Sequence, residues 1–136
     1  MDRVEKPWGY ELIWAKTNRY IGKILFIRAG HALSLQYHKV KDETVCLQAG
    51  RMLWESADLP AGFDEPIGKQ VGRDTAESLH LSTRELAPGE AVRVRPHTVH
   101  RMTAIEDCTV LEVSTPDPDD VVRVEDRYGR EGTSEP

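Results

Sequence analysis

The stretch GHALSLQYHKVKDETVCLQAG, residues 30–50, decides how this chain is read. In an extended LSLQYH segment, Leu33, Leu35 and Tyr37 fall on one face, while Ser34, Gln36 and His38 fall on the other. An amide and an imidazole, both potential metal ligands, therefore point the same way. Glu43 follows across a turn at the start of ETVCLQ. Adjacent antiparallel strands lie only about 5 Å apart, so its carboxylate can return to meet them.

Outward from this stretch the text keeps a period of two, punctuated by Gly and Pro. Trp8, Tyr10, Leu12 and Trp14 alternate near the start, and KILFI (23–27) is apolar on both faces, as expected of a strand covered on both sides. RMLWE (51–55), SLHLSTREL (78–86), AVRVR (91–95), VHRMTAI (99–105) and TVLEVS (109–114) complete a set of eight or nine short strands. No amphipathic helix separates them, which predicts an all-β jelly-roll barrel. The 136 residues suit one domain, expected over 1–130. Residues 56–77, with Pro60, Pro66, three Gly and five acids, cannot be regular strand throughout and read as an irregular loop, a mobile excursion in the first place and a functional lid as the alternative. The segment from Val121 to Tyr128 reads as a short helix or an extended piece, and 131–136 as a disordered tail.

Composition narrows the function. The chain holds 18 basic and 23 acidic residues, a net charge of −5, which argues against nucleic acid or an anionic membrane surface as partner. It has no apolar run of about 18 residues, and its opening MDRVEKPWGY lacks a secretory pattern, so the cytoplasm is the expected location. Cys46 and Cys108 lie in strand-like text without a C-x-x-C partner and read as reduced, half-buried thiols.

A second informative stretch is LAPGEAVRVRPHTVHRMTA, residues 86–104, where Gly89 opens a strand and His100 follows a Pro-containing turn. Two neutral imidazoles (His38, His100), one carboxylate (Glu43) and one amide oxygen (Gln36) would make a mixed N/O site with open positions for water or substrate. Such a donor set suits a divalent metal, zinc in the first place, with Mn, Ni, Co or Fe also compatible.

These residues resemble the cupin superfamily, in particular its branch of type II mannose-6-phosphate isomerases. The first cupin motif, Gly, five residues, His-x-His, three or four residues, Glu, six residues, Gly, is met by Gly30, Gln36, His38, Glu43 and Gly50, with Gln36 in the first His place. In the second motif Gly89 and His100 keep their places, while Arg95, His97 and Ala104 stand where Pro, Gly and Asn are expected. EKPWGYELIW near the start and VLEVSTPDPDDVVRVEDRYGR at the end resemble the opening and closing blocks of the isomerases.

The resemblance implies a metal-dependent isomerase that interconverts mannose 6-phosphate and fructose 6-phosphate through an enediol. That reaction needs a Lewis acid and a base within about 3 Å of the carbon-bound proton. Glu112, His97 and a metal-bound hydroxide are the candidates for the base. Arg101, Arg123 or Arg130 would hold the phosphate, although alternation turns Arg101 away from the metal unless its strand is bulged. A homodimer is expected from the family and from the aromatic N-terminal strand. Two rivals stay open: a non-catalytic binder of a sugar or sugar phosphate, and an isomerase of an unphosphorylated sugar.

Overall fold

A computed structural model describes residues 1–59, 79–130 and 132–133. All regular structure within them is β: β1 (Asp2–Lys6), β2 (Gly9–Lys16), β3 (Ile21–Ile27), β4 (Leu35–Tyr37), β5 (Glu43–Ala49), β6 (Met52–Asp58), β7 (Ser82–Leu86), β8 (Ala91–Val94), β9 (Thr98–Ala104), β10 (Cys108–Ser114), β11 (Val122–Glu125) and β12 (Gly132–Thr133). They form two antiparallel six-stranded sheets, ordered β1-β2-β3-β10-β5-β8 and β12-β11-β4-β9-β6-β7. This double-stranded β-helix agrees with the all-β jelly roll read from the sequence. Among the described residues no helix is long and apolar enough to cross a membrane.

Three strands exceed the sequence reading. DRVEK, β1, has no apolar alternation because it is an edge strand, where charged residues keep further strands from pairing. VRVE, β11, resolves the helix-or-extended alternative in favour of a strand, and it pairs with β4. Gly132–Thr133 pairs with β11 where a disordered tail was expected; residues 131 and 134–136 lie outside the described set. Of the expected loop, 56–58 belong to β6, and 60–77 lie outside the described residues.

The interior divides along the barrel. At one end inward side chains of both sheets form an apolar core that includes Leu25, Val45, Leu47, Met52, Trp54, Met102 and Val110. At the other end the inner positions of the same strands turn polar, with Glu11, Lys23, Glu43, Glu112, His100 and Arg123 all buried. A second apolar cluster covers the outer face of the β4 sheet, where Leu59 and Leu81 pack against Leu35, Tyr37, Val99 and Val122. The outer face of the β3 sheet differs: Ile24 and Phe26 are only half-buried, so the strand expected to be covered on both sides is covered on one.

The turns carry the backbone strain. Gly50, between β5 and β6, has φ +100°, and a Cβ there would stand 2.2 Å from the Asp107 carbonyl oxygen. His97, in the place where a cupin has Gly, keeps the left-handed conformation at φ 67°. The turn therefore holds its shape while carrying a larger side chain, at a cost on the order of 1 kcal/mol.

Candidate metal centre and its cavity

One row of register-matched residues builds a wall of the site. Arg123 on β11 lies opposite Gln36 on β4, Gln36 opposite His100 on β9, and His100 opposite Ser56 on β6, so all four share one sheet face. From the other sheet Glu43 reaches across, and its Oε1 stands 3.4 Å from His38 Nε2 and 3.3 Å from His100 Nε2. One donor atom from each of the three residues fits within 4.8 Å, and all three side chains are buried. Gln36 stands beside them, with Oε1 accepting a hydrogen bond from Ser34 Oγ at 2.5 Å.

The imidazole hydrogen bonds suit the trio to a metal. His38 Nδ1 donates to the Asp120 carbonyl at 2.5 Å and His100 Nδ1 donates to the Thr98 carbonyl at 3.0 Å. Carbonyl oxygens only accept, so each ring carries its proton on Nδ1 and turns the Nε2 lone pair toward Glu43. Both Nε2 atoms are buried without a hydrogen-bond partner. Burial opposes the charge of Glu43, but the ammonium of Lys41 beside it favours the ionised form, and the carboxyl lies well below its usual range. Two aligned lone pairs and an ionised carboxylate fit a divalent cation. Trp54 stacks on His100 with ring centroids 5.8 Å apart and ties this ligand to the apolar core.

The trio adjoins a cavity lined by Lys6, Glu11, Lys23, Lys41, Glu112, Arg123 and Arg130 as well as by Gln36 and His38. Lys41 Nζ lies 3.2 Å from Glu43 and 3.7 Å from Glu112. Burial works against its charge, but Glu112 and Glu43 raise its pKa above the ordinary lysine value. Glu112 is buried; burial first, and then the Glu43 charge, push its pKa up. Lys23 pairs with Glu11 at 3.2 Å and Arg130 with Asp126 at 2.9 Å. Arg123 is lowered by burial and by Arg130, and Lys6 by burial and, more weakly, by Lys23, Arg130 and Arg123. The wall thus carries five cations against two carboxylates in a chain of net charge −5.

The structure brings Gln36, His38, Glu112, Arg123 and Arg130 to this cavity and groups Glu43 and His100 with His38 at its side, but leaves two sequence candidates outside it. Arg101 alternates to the outer face of β9, where its guanidinium holds Glu55 at 2.8 Å and Glu125 at 2.7 Å. His97 rests its ring against Tyr37, whose side chain lies on the face of β4 opposite Gln36. The strand is unbulged at 101 and keeps its register with β6, so period-two alternation carries Arg101 away, whereas His97 stands in the turn before β9.

Other residues escaped the sequence reading. Lys41 sits in a turn, where no periodicity marks burial, and Glu11 alternates inward from a strand whose aromatic neighbours dominate its text. Asp120 was legible only as part of an acidic turn. Its carboxylate in fact accepts from the backbone N–H groups of Lys39, Val40 and Lys41 at 3.0, 2.7 and 2.8 Å. Both cysteines are free thiols, with Cys108 buried and Cys46 partly so.

Comparison with known proteins agrees with this fold. The fold is similar to that of KdgF from Halomonas sp. (TM-score 0.63, 20% identity, covering 88% of this chain and 91% of that one). It is also similar to CapF from Staphylococcus aureus (TM-score 0.64, 14% identity, 91% of this chain but 34% of that one). A cupin superfamily protein from Desulfitobacterium hafniense matches at TM-score 0.54 and 14% identity, over 79% of this chain and 76% of that one. No curated protein matches the chain in sequence. The family model described as D-lyxose isomerase, however, matches residues 11–128, a span that runs from the buried Glu11 through every metal-ligand candidate to Tyr128. With a cupin barrel around a His–Glu–His centre, the chain belongs to the D-lyxose isomerase family.

Proposed function

We propose that the protein is a metal-dependent aldose–ketose isomerase acting on a phosphorylated sugar, in the manner of mannose 6-phosphate to fructose 6-phosphate. The observation that carries this reading is the excess of cations on the cavity wall next to the metal-ligand trio. The pKa values of Lys6 and Arg123 are both depressed, by burial first and then by neighbouring cations, which Glu11 and Asp126 offset only in part, and an anion beside them would favour their charged forms. Arg123 and Arg130 offer forked donors that suit phosphate oxygens.

A divalent metal held by Gln36, His38, Glu43 and His100 would supply a Lewis acid for the oxygens on C1 and C2. Glu112 then takes the proton from the hydroxyl-bearing carbon and returns it to the former carbonyl carbon; the carbonyl oxygen gains a proton as the enediol forms, and the other oxygen gives one up as it collapses. The raised pKa of Glu112 brings the carboxyl closer to neutrality, where a group can both accept and donate. Lys41, 3.7 Å away, orients this carboxylate. His97 and Arg101 take no part, because their side chains lie outside the cavity.

The family match favours a second reading, an unphosphorylated sugar such as lyxose. Metal-replete protein incubated with mannose 6-phosphate, mannose and lyxose, with ketose formation followed, separates the two. The first reading expects turnover of the phosphorylated sugar, a KM raised at least tenfold by Arg123→Met for that sugar alone, and loss of turnover in Glu112→Gln. Turnover confined to neutral sugars and indifferent to Arg123→Met supports the second. No turnover of any sugar, together with metal-independent sugar binding, makes the protein a binding module and defeats both.

A further inference from the structure

We propose that the buried Glu11–Lys23 pair reads the hydroxyls on C3 and C4 of the sugar, which makes these two residues determinants of specificity. The inference rests on the isomerase reading for the place of Glu112 at C1 and C2, but not on whether the sugar carries phosphate. Lys23 Nζ stands 3.2 Å from Glu11 Oε1, and both side chains are only 8% exposed. A buried pair of this kind gains little for stability, because desolvation of the two charges offsets most of their attraction. Both residues nonetheless line the cavity beside the metal-ligand trio. Among the described residues the pair spends one ammonium N–H and one carboxylate oxygen on itself. Two further N–H groups and the second oxygen are left to serve a ligand.

Three observations point to hydroxyls as what the pair reads. First, its chemistry is mixed. The Glu11 carboxylate repels an anion, whereas two neighbouring hydroxyls can donate to the carboxylate and accept from the ammonium at once. Second, the register sets the pair beyond the reacting carbons. Lys23 on β3 lies directly opposite Glu112 on β10, and β2, which carries Glu11, pairs with the other edge of β3. Strands about 4.8 Å apart therefore space Glu112, Lys23 and Glu11 across one inner face. With Glu112 at C1 and C2, the next groups along that face meet the next carbons of the sugar. Third, Trp8, Leu25 and Leu33 line the same cavity. Apolar surface set with a few polar groups suits a sugar, whose C–H faces pack on apolar side chains while its hydroxyls seek donors and acceptors. D-mannose and D-lyxose share their configuration at C2, C3 and C4, so the assignment holds for either substrate.

The test compares the Zn²⁺-loaded wild type with the double variant Glu11→Met, Lys23→Met. Removing the whole pair leaves neither charge buried alone, so the variant should keep its metal stoichiometry and melt no lower than the wild type. Binding is measured by calorimetric titration with D-mannose 6-phosphate, with D-lyxose, and with the 3-deoxy and 4-deoxy forms of each, while ketose formation is followed in parallel. In the wild type, the sugar that binds more tightly should lose about tenfold or more in affinity when either hydroxyl is removed. In the double variant, parent and deoxy sugars should bind alike. Should the double variant not fold, Glu11→Gln, which keeps the size of the side chain but turns an amide toward Lys23, supplies the same comparison. A deoxy penalty that survives the substitution overturns the proposal, as does a wild type that shows no such penalty or binds neither sugar. The expected binding pattern without turnover would count against the isomerase reading alone.

Discussion

Asp120 shows how much of the metal centre rests on one turn residue. Its carbonyl fixes the tautomer of His38, and its carboxylate gathers the three successive N–H groups that lead from His38 toward Glu43. Burial opposes its charge, but those three donors prevail and lower its pKa. Asp120→Ala should leave the barrel folded and weaken metal binding about 10- to 100-fold, the usual effect of removing a group that positions a ligand. Calorimetric titration of apo protein with Zn²⁺ checks this, and an affinity within threefold of wild type would count against it. His97 sits at the opposite extreme. Its strained backbone preserves a turn while its ring packs on Tyr37, so only the backbone conformation serves the site.

Among the elements, the closing segment after β11 links cavity to barrel. Asp126 is buried and holds Arg130 through both its carboxylate oxygens, while the Asp126 carboxylate also accepts the Arg130 backbone N–H. Burial raises the Asp126 pKa, but Arg130 outweighs it and the net shift is downward. A carboxyl with a depressed folded pKa contributes stability that is complete above its unfolded value, about 3.9, and is lost as pH falls through the folded value. Asp126→Asn should therefore cost about 1.5–3 kcal/mol at neutral pH, the worth of a charged hydrogen bond. The difference from wild type should close below about pH 4. Urea midpoints measured across that range test it; a constant gap at all pH values would mean the ion pair is not its source.

At the scale of the molecule, the two sheets meet around a centre where Glu43, His38 and His100 are buried together. A cation that binds this trio binds the folded barrel, since the unfolded chain scatters its ligands over 63 residues of sequence from His38 to His100. At a hundredfold excess over Kd, metal should add about 2.7 kcal/mol and raise Tm by roughly 10 °C. A chelator should reverse the shift, and His38→Ala with His100→Ala should abolish both shift and stoichiometric metal. Scanning calorimetry with elemental analysis decides it: a double variant still loaded with metal would refute the ligand assignment.

Alternation in LSLQYH, the spacing of Gln36, His38 and Glu43, and the second His beyond a Pro turn are legible in the linear text, because a period of two dictates which side chains share a face. The same rule turns Arg101 outward, to the face where Glu55 and Glu125 hold it. What the linear text does not hold is anything decided by two segments meeting. Lys41 between Glu43 and Glu112, Asp120 beneath His38, and the ring of cations around the cavity all join residues distant in sequence. Nor does it reveal that the outer side of KILFI goes uncovered within one chain. The local pattern of the sequence by itself determined the strands and most of the ligand set. Only the closure of one sheet on the other decided which charges were buried together and which apolar face was left bare.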